Sequence, residues 1–230
     1  MVKSLQALTI SALIALSTAA CVSTTSGSEG SFVESIPSPN TQPEFSLLTD
    51  EGVQQIKDSG RARFDLRDRV LTNAEAGVAP ESRQEIIIGN PGDPDIQLTL
   101  VGPEGEVTIS TQTIWFTHLD EDSFTEIIFF RAFETIEIAK QELNESVTQW
   151  GILQENIEMW SSVSEKAQDD KVKRSLGTGV GATGLIVGMN ASIKRGTQVF
   201  HYIVDLDPRN YNEENIANIR STGIGRRVVN

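Results

Sequence analysis

Two histidines and the acids beside them are the only side chains in this sequence whose types and spacing suggest catalysis. His118 precedes Asp120 and Asp122, and His201 precedes Asp205 and Asp207. Imidazole and carboxylate groups are the ligands with which a divalent ion binds and activates water. Two neighbouring strands carrying these groups would therefore form a metal-dependent hydrolase. The same acids have a plainer use. The run Asp120-Glu121-Asp122 suits the positive end of a helix, and Asp205 and Asp207 stand at a strand end before Pro208. The spacing favours this second use. The chain contains no G-x-S-x-G, no H-E-x-x-H and no reactive cysteine in a catalytic context, so a non-catalytic protein with no cofactor is expected.

Three other groups invite a site. Gly179-Val180-Gly181-Ala182-Thr183-Gly184 matches the string G-x-G-x-x-G, but a dinucleotide fold needs a strand before that string and a helix after it. The residues between 175 and 193 carry no charge, and Gly177 and Gly181, like Gly184 and Gly188, are spaced as in membrane-helix packing faces. The third and preferred reading of this stretch is β-structure. In it Leu185 to Ile193 turns through Lys194-Arg195-Gly196 and pairs with Thr197 to Leu206. Arg61, Arg63, Arg67 and Arg69 suggest phosphate binding, yet Asp65 and Asp68 sit among them, which points to the solvated face of a strand. Trp115 reads as strand core, whereas Trp150 and Trp160 lie on a helical stripe.

The beginning of the chain reads as a targeting segment. Lys3 is followed by an uncharged, mostly apolar run from Leu5 to Leu16, too short to cross a bilayer, and then by Ser17-Thr18-Ala19-Ala20-Cys21. This resembles a bacterial lipoprotein signal peptide, in which small residues lead to a cysteine that is acylated and becomes the first residue of the mature chain. Ala19-Ala20-Cys21 fit that pattern, while Thr18 stands where leucine is usual. An ordinary signal peptide cut after Ala20 is the alternative; it would leave the only cysteine of the chain as an exposed thiol in an oxidising compartment. With no second cysteine to pair with, acylation is the better use of Cys21. The resemblance implies a lipid anchor, and Val22-Ser23 behind the cysteine implies the outer membrane, facing the periplasm.

The formal charge of −13 argues against nucleic acid as a partner. Residues 1–20 are then the signal segment, and 21–44, rich in Ser, Thr, Gly and Pro, a flexible tether. Residues 45–230 form a single domain. Within it Thr49 caps a short helix closed by Ser59-Gly60. Strands are expected over 61–71, 85–89, 96–101, 106–110 and 113–119, with Gly102-Pro103-Glu104-Gly105 as a hairpin turn. Ser123 and Glu126 form a capping-box pattern, so one long helix is expected from about 123 to 174. A repeat close to the heptad runs through Ile136, Ala139, Leu143, Ser146, Trp150, Leu153, Ile157, Trp160, Ser164 and Ala167, a coiled-coil-like stripe about 45 Å long in which Gly151 is a place for a bend. A last helix runs from about 212 to 220. The expected fold is α+β, an antiparallel sheet with one long helix and a C-terminal β-segment. The expected role is that of an envelope protein of structural or interaction type. It would assemble with itself or an envelope partner through Leu143, Trp150, Leu153, Ile157 and Trp160. A carrier of small apolar ligands between sheet and helix is a further alternative.

Overall fold

Alternation of apolar and polar residues builds the first part of the domain. Helix α1 (Asp50–Ser59) begins where the Thr49 hydroxyl accepts a hydrogen bond from the Gly52 amide at 3.1 Å, and ends at Gly60 in the left-handed conformation. Strand β1 (Arg61–Asp65) buries Ala62 and Phe64 and turns its arginines outward. It pairs in parallel with β4 (Ile96–Val101), which pairs antiparallel with β5 (Glu106–Thr111), giving a three-stranded sheet in the order β1-β4-β5. A computed structural model of the chain describes residues 44–79, 85–118, 122–164, 173–194 and 196–225, all within one compact unit. The signal segment, Cys21, the tether through residue 43, Asp120 and residues 165–172 of the expected long helix lie outside the described residues.

A seven-stranded sheet forms the rest of the framework. Its members are β2 (Leu71–Thr72), β3 (Ile86–Ile88), β6 (Ile114–His118), β7 (Ser123–Phe133), β8 (Lys173–Val180), β9 (Ile186–Lys194) and β10 (Thr197–Asp205). The order is β3-β6-β7-β10-β9-β8, every pairing is antiparallel, and β2 continues the ladder on the end of β7. The expected pairing of residues 185–193 with 197–206 is present, Ile193 with Gln198 and Val187 with Val204, while Gly177 and Gly179, expected as a flexible entry, lie in the paired strand β8. Three further helices follow the strands. They are α2 (Ile136–Trp150), α3 (Gln154–Ser164) and α4 (Glu213–Thr222), the last preceded by a short 3₁₀ turn over Pro208–Tyr211.

Two sequence expectations are corrected. Residues 123–133 form the central strand of the large sheet, not a helix start. Ser123 pairs with Thr72 instead of capping a helix, and the apolar run Ile127-Ile128-Phe129-Phe130 supplies both faces of a strand hydrogen-bonded on both sides. The helical stripe is cut in two at Gly151, whose φ of 71° ends α2. The reason for a glycine there is contact as well as conformation, since a Cβ at Gly151 would lie 2.5 Å from the Val180 carbonyl oxygen. A Cβ at Gly179 would likewise lie 2.2 Å from the Trp150 oxygen, so the end of α2 rests on the glycine-rich part of β8. The fold is richer in β-structure than expected, and its two sheets include one parallel pair.

The core lies between the two sheets and between the large sheet and α2–α3. Phe64 of the small sheet meets Phe116 of β6 edge-on at 5.0 Å between ring centroids, and Phe129 stacks on Tyr202 at 4.8 Å under Trp150. A small polar group of side chains is buried here, Glu142, Ser146 and the Tyr202 hydroxyl. Glu142 of α2 accepts a hydrogen bond from the Tyr202 hydroxyl at 2.8 Å and pairs with Arg131 of β7, which fixes the helix to the sheet. Burial first, and then the Glu142 charge, hold the Tyr202 phenol well above its usual range, so it stays a donor.

Candidate functional site

The expected metal ligands are not brought together. His118 pairs with Phe124 and His201 with Phe130 on the same central strand, a separation of roughly 20 Å at ~3.3 Å per residue. They also face opposite ways. His118 follows Ile114 and Phe116 on the core side of β6, where its Nε2 lies 2.8 Å from Asn73 Oδ1, while His201 alternates with the buried Phe200 and Tyr202 and faces outward. The acids have local duties. Asp205 accepts from the Asp207 amide and from Asn210 Nδ2, and Asp207 caps the 3₁₀ turn and binds Arg209, which holds its carboxyl below the usual carboxylate range. Asp122 stands at the entry to β7, where its carbonyl accepts from the Asn73 amide. Among the described residues no set of three or more His, Cys, Asp and Glu side chains is close enough to hold a metal ion.

The expected assembly face is internal. Leu143, Trp150, Ile157 and Trp160 are all buried in the domain's own core, and Leu153 is half-buried against Gly223. The stripe's periodicity is that of helices packed on a sheet, so it offers no coiled-coil surface. Between α2 and the large sheet the rings of Trp150, Phe129 and Tyr202 pack against one another. The string from Gly179 to Gly184 leads from β8 through a turn into β9, strand to strand, without the helix that phosphate binding needs. The arginines are mostly engaged. Arg63 pairs with Glu106 at 2.8 Å, Arg67 holds the Asp65 carboxyl below its ordinary range, and Arg69 lies over the Tyr211 ring. A groove of about 450 Å³ runs between α1 and this polar sheet face, walled by Phe45, Gln55, Arg61 and Thr99.

The surface that sequence reasoning missed is the outer face of the large sheet. Adjacent strands place Ile87, Trp115, Ile128, Ile203, Gly188 and Thr178 opposite one another in a single row from β3 to β8. Beside that row stand Phe130 and His201, then Ala132 and Val199. Ile87 is 52% exposed, and Trp115, Ile128, Phe130, Val199 and Ile203 are half-buried. An antiparallel sheet with one wet face alternates apolar with polar, yet β6, β7 and β10 also carry Trp115, Ile128, Phe130, Val199 and Ile203 outward, beside a polar row of Thr117, Glu126 and Asp205. Helix α4 and the 3₁₀ turn pack on one corner of this outer face, where Ile219 and Tyr211 meet Ile186, and Gly225 beyond α4 lies against Thr178. A hollow of about 180 Å³ remains beside α4, over Gly188 and Thr178. The Trp115 Nε1 is shielded from solvent and has no hydrogen-bond partner among the described residues. Burial and then the Lys173 charge hold the His201 imidazole below its ordinary pKa, which favours the uncharged ring. The available signal in the sequence was the two-sided apolar run from Ile127 to Phe130, which fits a strand covered on both faces better than a helix.

Compared with protein-family models, with characterised protein sequences and with solved structures, the chain matches none. Among the described residues no helix is long and apolar enough to cross a membrane.

Proposed function

We propose that this chain is an exported lipoprotein, acylated on Cys21 and tethered to the outer membrane on its periplasmic side. Its domain serves protein interaction, not catalysis, and the contact surface is the outer face of the seven-stranded sheet in place of the helix face 136–167. The anchoring half rests on the resemblance of Ala19-Ala20-Cys21 and the preceding apolar run to a lipoprotein signal. The interaction half is carried by one observation, the row Ile87–Trp115–Ile128–Ile203. A contiguous apolar strip left outside a finished core is the usual mark of a protein contact.

Metabolic labelling with a palmitate analogue, together with an alkaline wash of membranes, tests the anchor. Wild type should incorporate the label and stay with the membrane. Cys21→Ala should lose both the label and the attachment. An unlabelled wild-type chain found in the soluble periplasmic fraction would refute the lipoprotein reading.

A further inference from the structure

The apolar row has an internal symmetry that identifies its occupant. The strand order β3-β6-β7-β10-β9-β8 has its midline between β7 and β10. About that line Ile128 is the counterpart of Ile203, Ile87 of Thr178, and Trp115 of Gly188. The largest side chain of the row and its gap are therefore equidistant from the midline on opposite sides. The gap is real. A Cβ built on Gly188 would come no closer than 3.9 Å to Ile203, and the hollow above it is walled by Thr178 and Asn190 of the sheet on one side and by Asn215 and Gly225 on the other. Helix α4 flanks this hollow without filling it, because it covers the neighbouring Val180–Ile186 step.

We infer that the outer sheet face binds a second copy of this chain, related by a twofold axis running along the strands, with each Trp115 inserted over the other copy's Gly188. This rests on the proposed interaction role of that face. An isologous contact requires a surface to be its own complement, and a knob and a hole placed symmetrically about one line meet that requirement. In this arrangement Ile128 and Ile203 meet across the axis, and the exposed edge of the half-buried Trp115 ring enters the hollow over Gly188. The face is about 24 Å across five strand spacings and roughly 20 Å along the strands, less the corner under α4, so two copies bury somewhat under ~1,000 Å². That is the range of weak, reversible association. Tethering both copies to one membrane raises their effective concentration, which makes a weak interface sufficient.

The test is sedimentation of the full chain in detergent, with Trp115→Gly, Gly188→Trp and the double exchange. The melting temperature of each variant serves as the folding control. Wild type should show a monomer–dimer equilibrium. Either single change should weaken it about tenfold or more, and the double variant, with knob and hole exchanged, should recover most of the loss. A wild type that stays monomeric at millimolar concentration overturns the inference, as does a double variant no better than the singles when all of them fold. A photo-crosslinker at position 128 in intact cells separates the two readings. An adduct of twice the chain's mass supports self-association. An adduct with a different protein overturns the second copy but keeps the interaction face, and a folded chain that forms no adduct overturns both.

Discussion

Tyr202→Phe removes one hydroxyl and leaves the ring stacked on Phe129, so it isolates the hydrogen bond to Glu142. Glu142 is 6% exposed and Tyr202 fully buried, so water cannot replace the lost donor. Glu142 keeps Arg131 as its second partner, which limits the damage to one charge-assisted hydrogen bond. A hydrogen bond to a charged group contributes ~1.5–3 kcal/mol, and about 2 kcal/mol is expected here because the remaining ion pair holds the carboxylate in place. Urea unfolding followed by circular dichroism reads this as a lower midpoint with an unchanged slope. The double cycle with Glu142→Leu is the sharper check. Without the carboxylate only the Ser146 hydroxyl remains beside the phenol, so Tyr202→Phe should then cost under ~1 kcal/mol. A single-variant cost below ~0.5 kcal/mol, or an equal cost in both backgrounds, would refute the claim that this network fixes α2 to the sheet.

Other consequences follow from the same geometry. Gly151→Ala forces a side chain into φ 71° and places its Cβ against the Val180 carbonyl, so a loss of about 2–4 kcal/mol is expected by urea titration. Trp150→Ala and Trp160→Ala should each cost ~3–5 kcal/mol of stability, and at temperatures where the variants stay folded the sedimentation behaviour should match wild type. His201 gives a pH signature. Its folded pKa lies below the ordinary value of 6.5, so the unfolded chain takes up the proton first as pH falls. The contribution of His201 is therefore complete above about pH 6.5 and is lost as pH falls through the folded value. His201→Gln should flatten the slope of unfolding free energy against pH between neutrality and about pH 5.

Much of the local structure was legible because local chemistry decides it. Thr49 and Gly60 bound α1, Asn212 and Gly223 bound α4, and the Gly102–Gly105 turn joins β4 to β5, all as cap and turn residues require. The pairing of residues 185–193 with 197–206 held because the turn and the β-branched partner strand were both visible. The failures lie where tertiary contact overrides a local signal. Ser123 and Glu126 have capping-box spacing, but the run behind them is sealed between β6 and β10, and a strand buried on both sides loses the alternation that would mark it. The helical stripe showed which residues are buried but not what buries them, because a sheet and a partner helix demand the same spacing. The break at Gly151 depends on β8 lying against the end of α2, a contact between residues distant in the chain. The histidine constellation failed for a related reason. Nothing local fixes strand order or register, and these put His118 and His201 on opposite faces. The outer-face row was invisible because its members come from strands scattered from residue 87 to residue 203.

Hydroxyl-radical footprinting of the full chain, on the membrane where the proposed anchor would hold it and again dispersed at nanomolar concentration, tests the contact surface most directly. Trp115 is the reporter on the outer face, and Met159, 53% exposed on α3, is the reference on the helix side. The account predicts that Trp115 is oxidised more slowly in the membrane than in the dispersed chain, with Met159 modified equally in both. Protection of Met159 with no change at Trp115 would contradict it and return the contact surface to the helices.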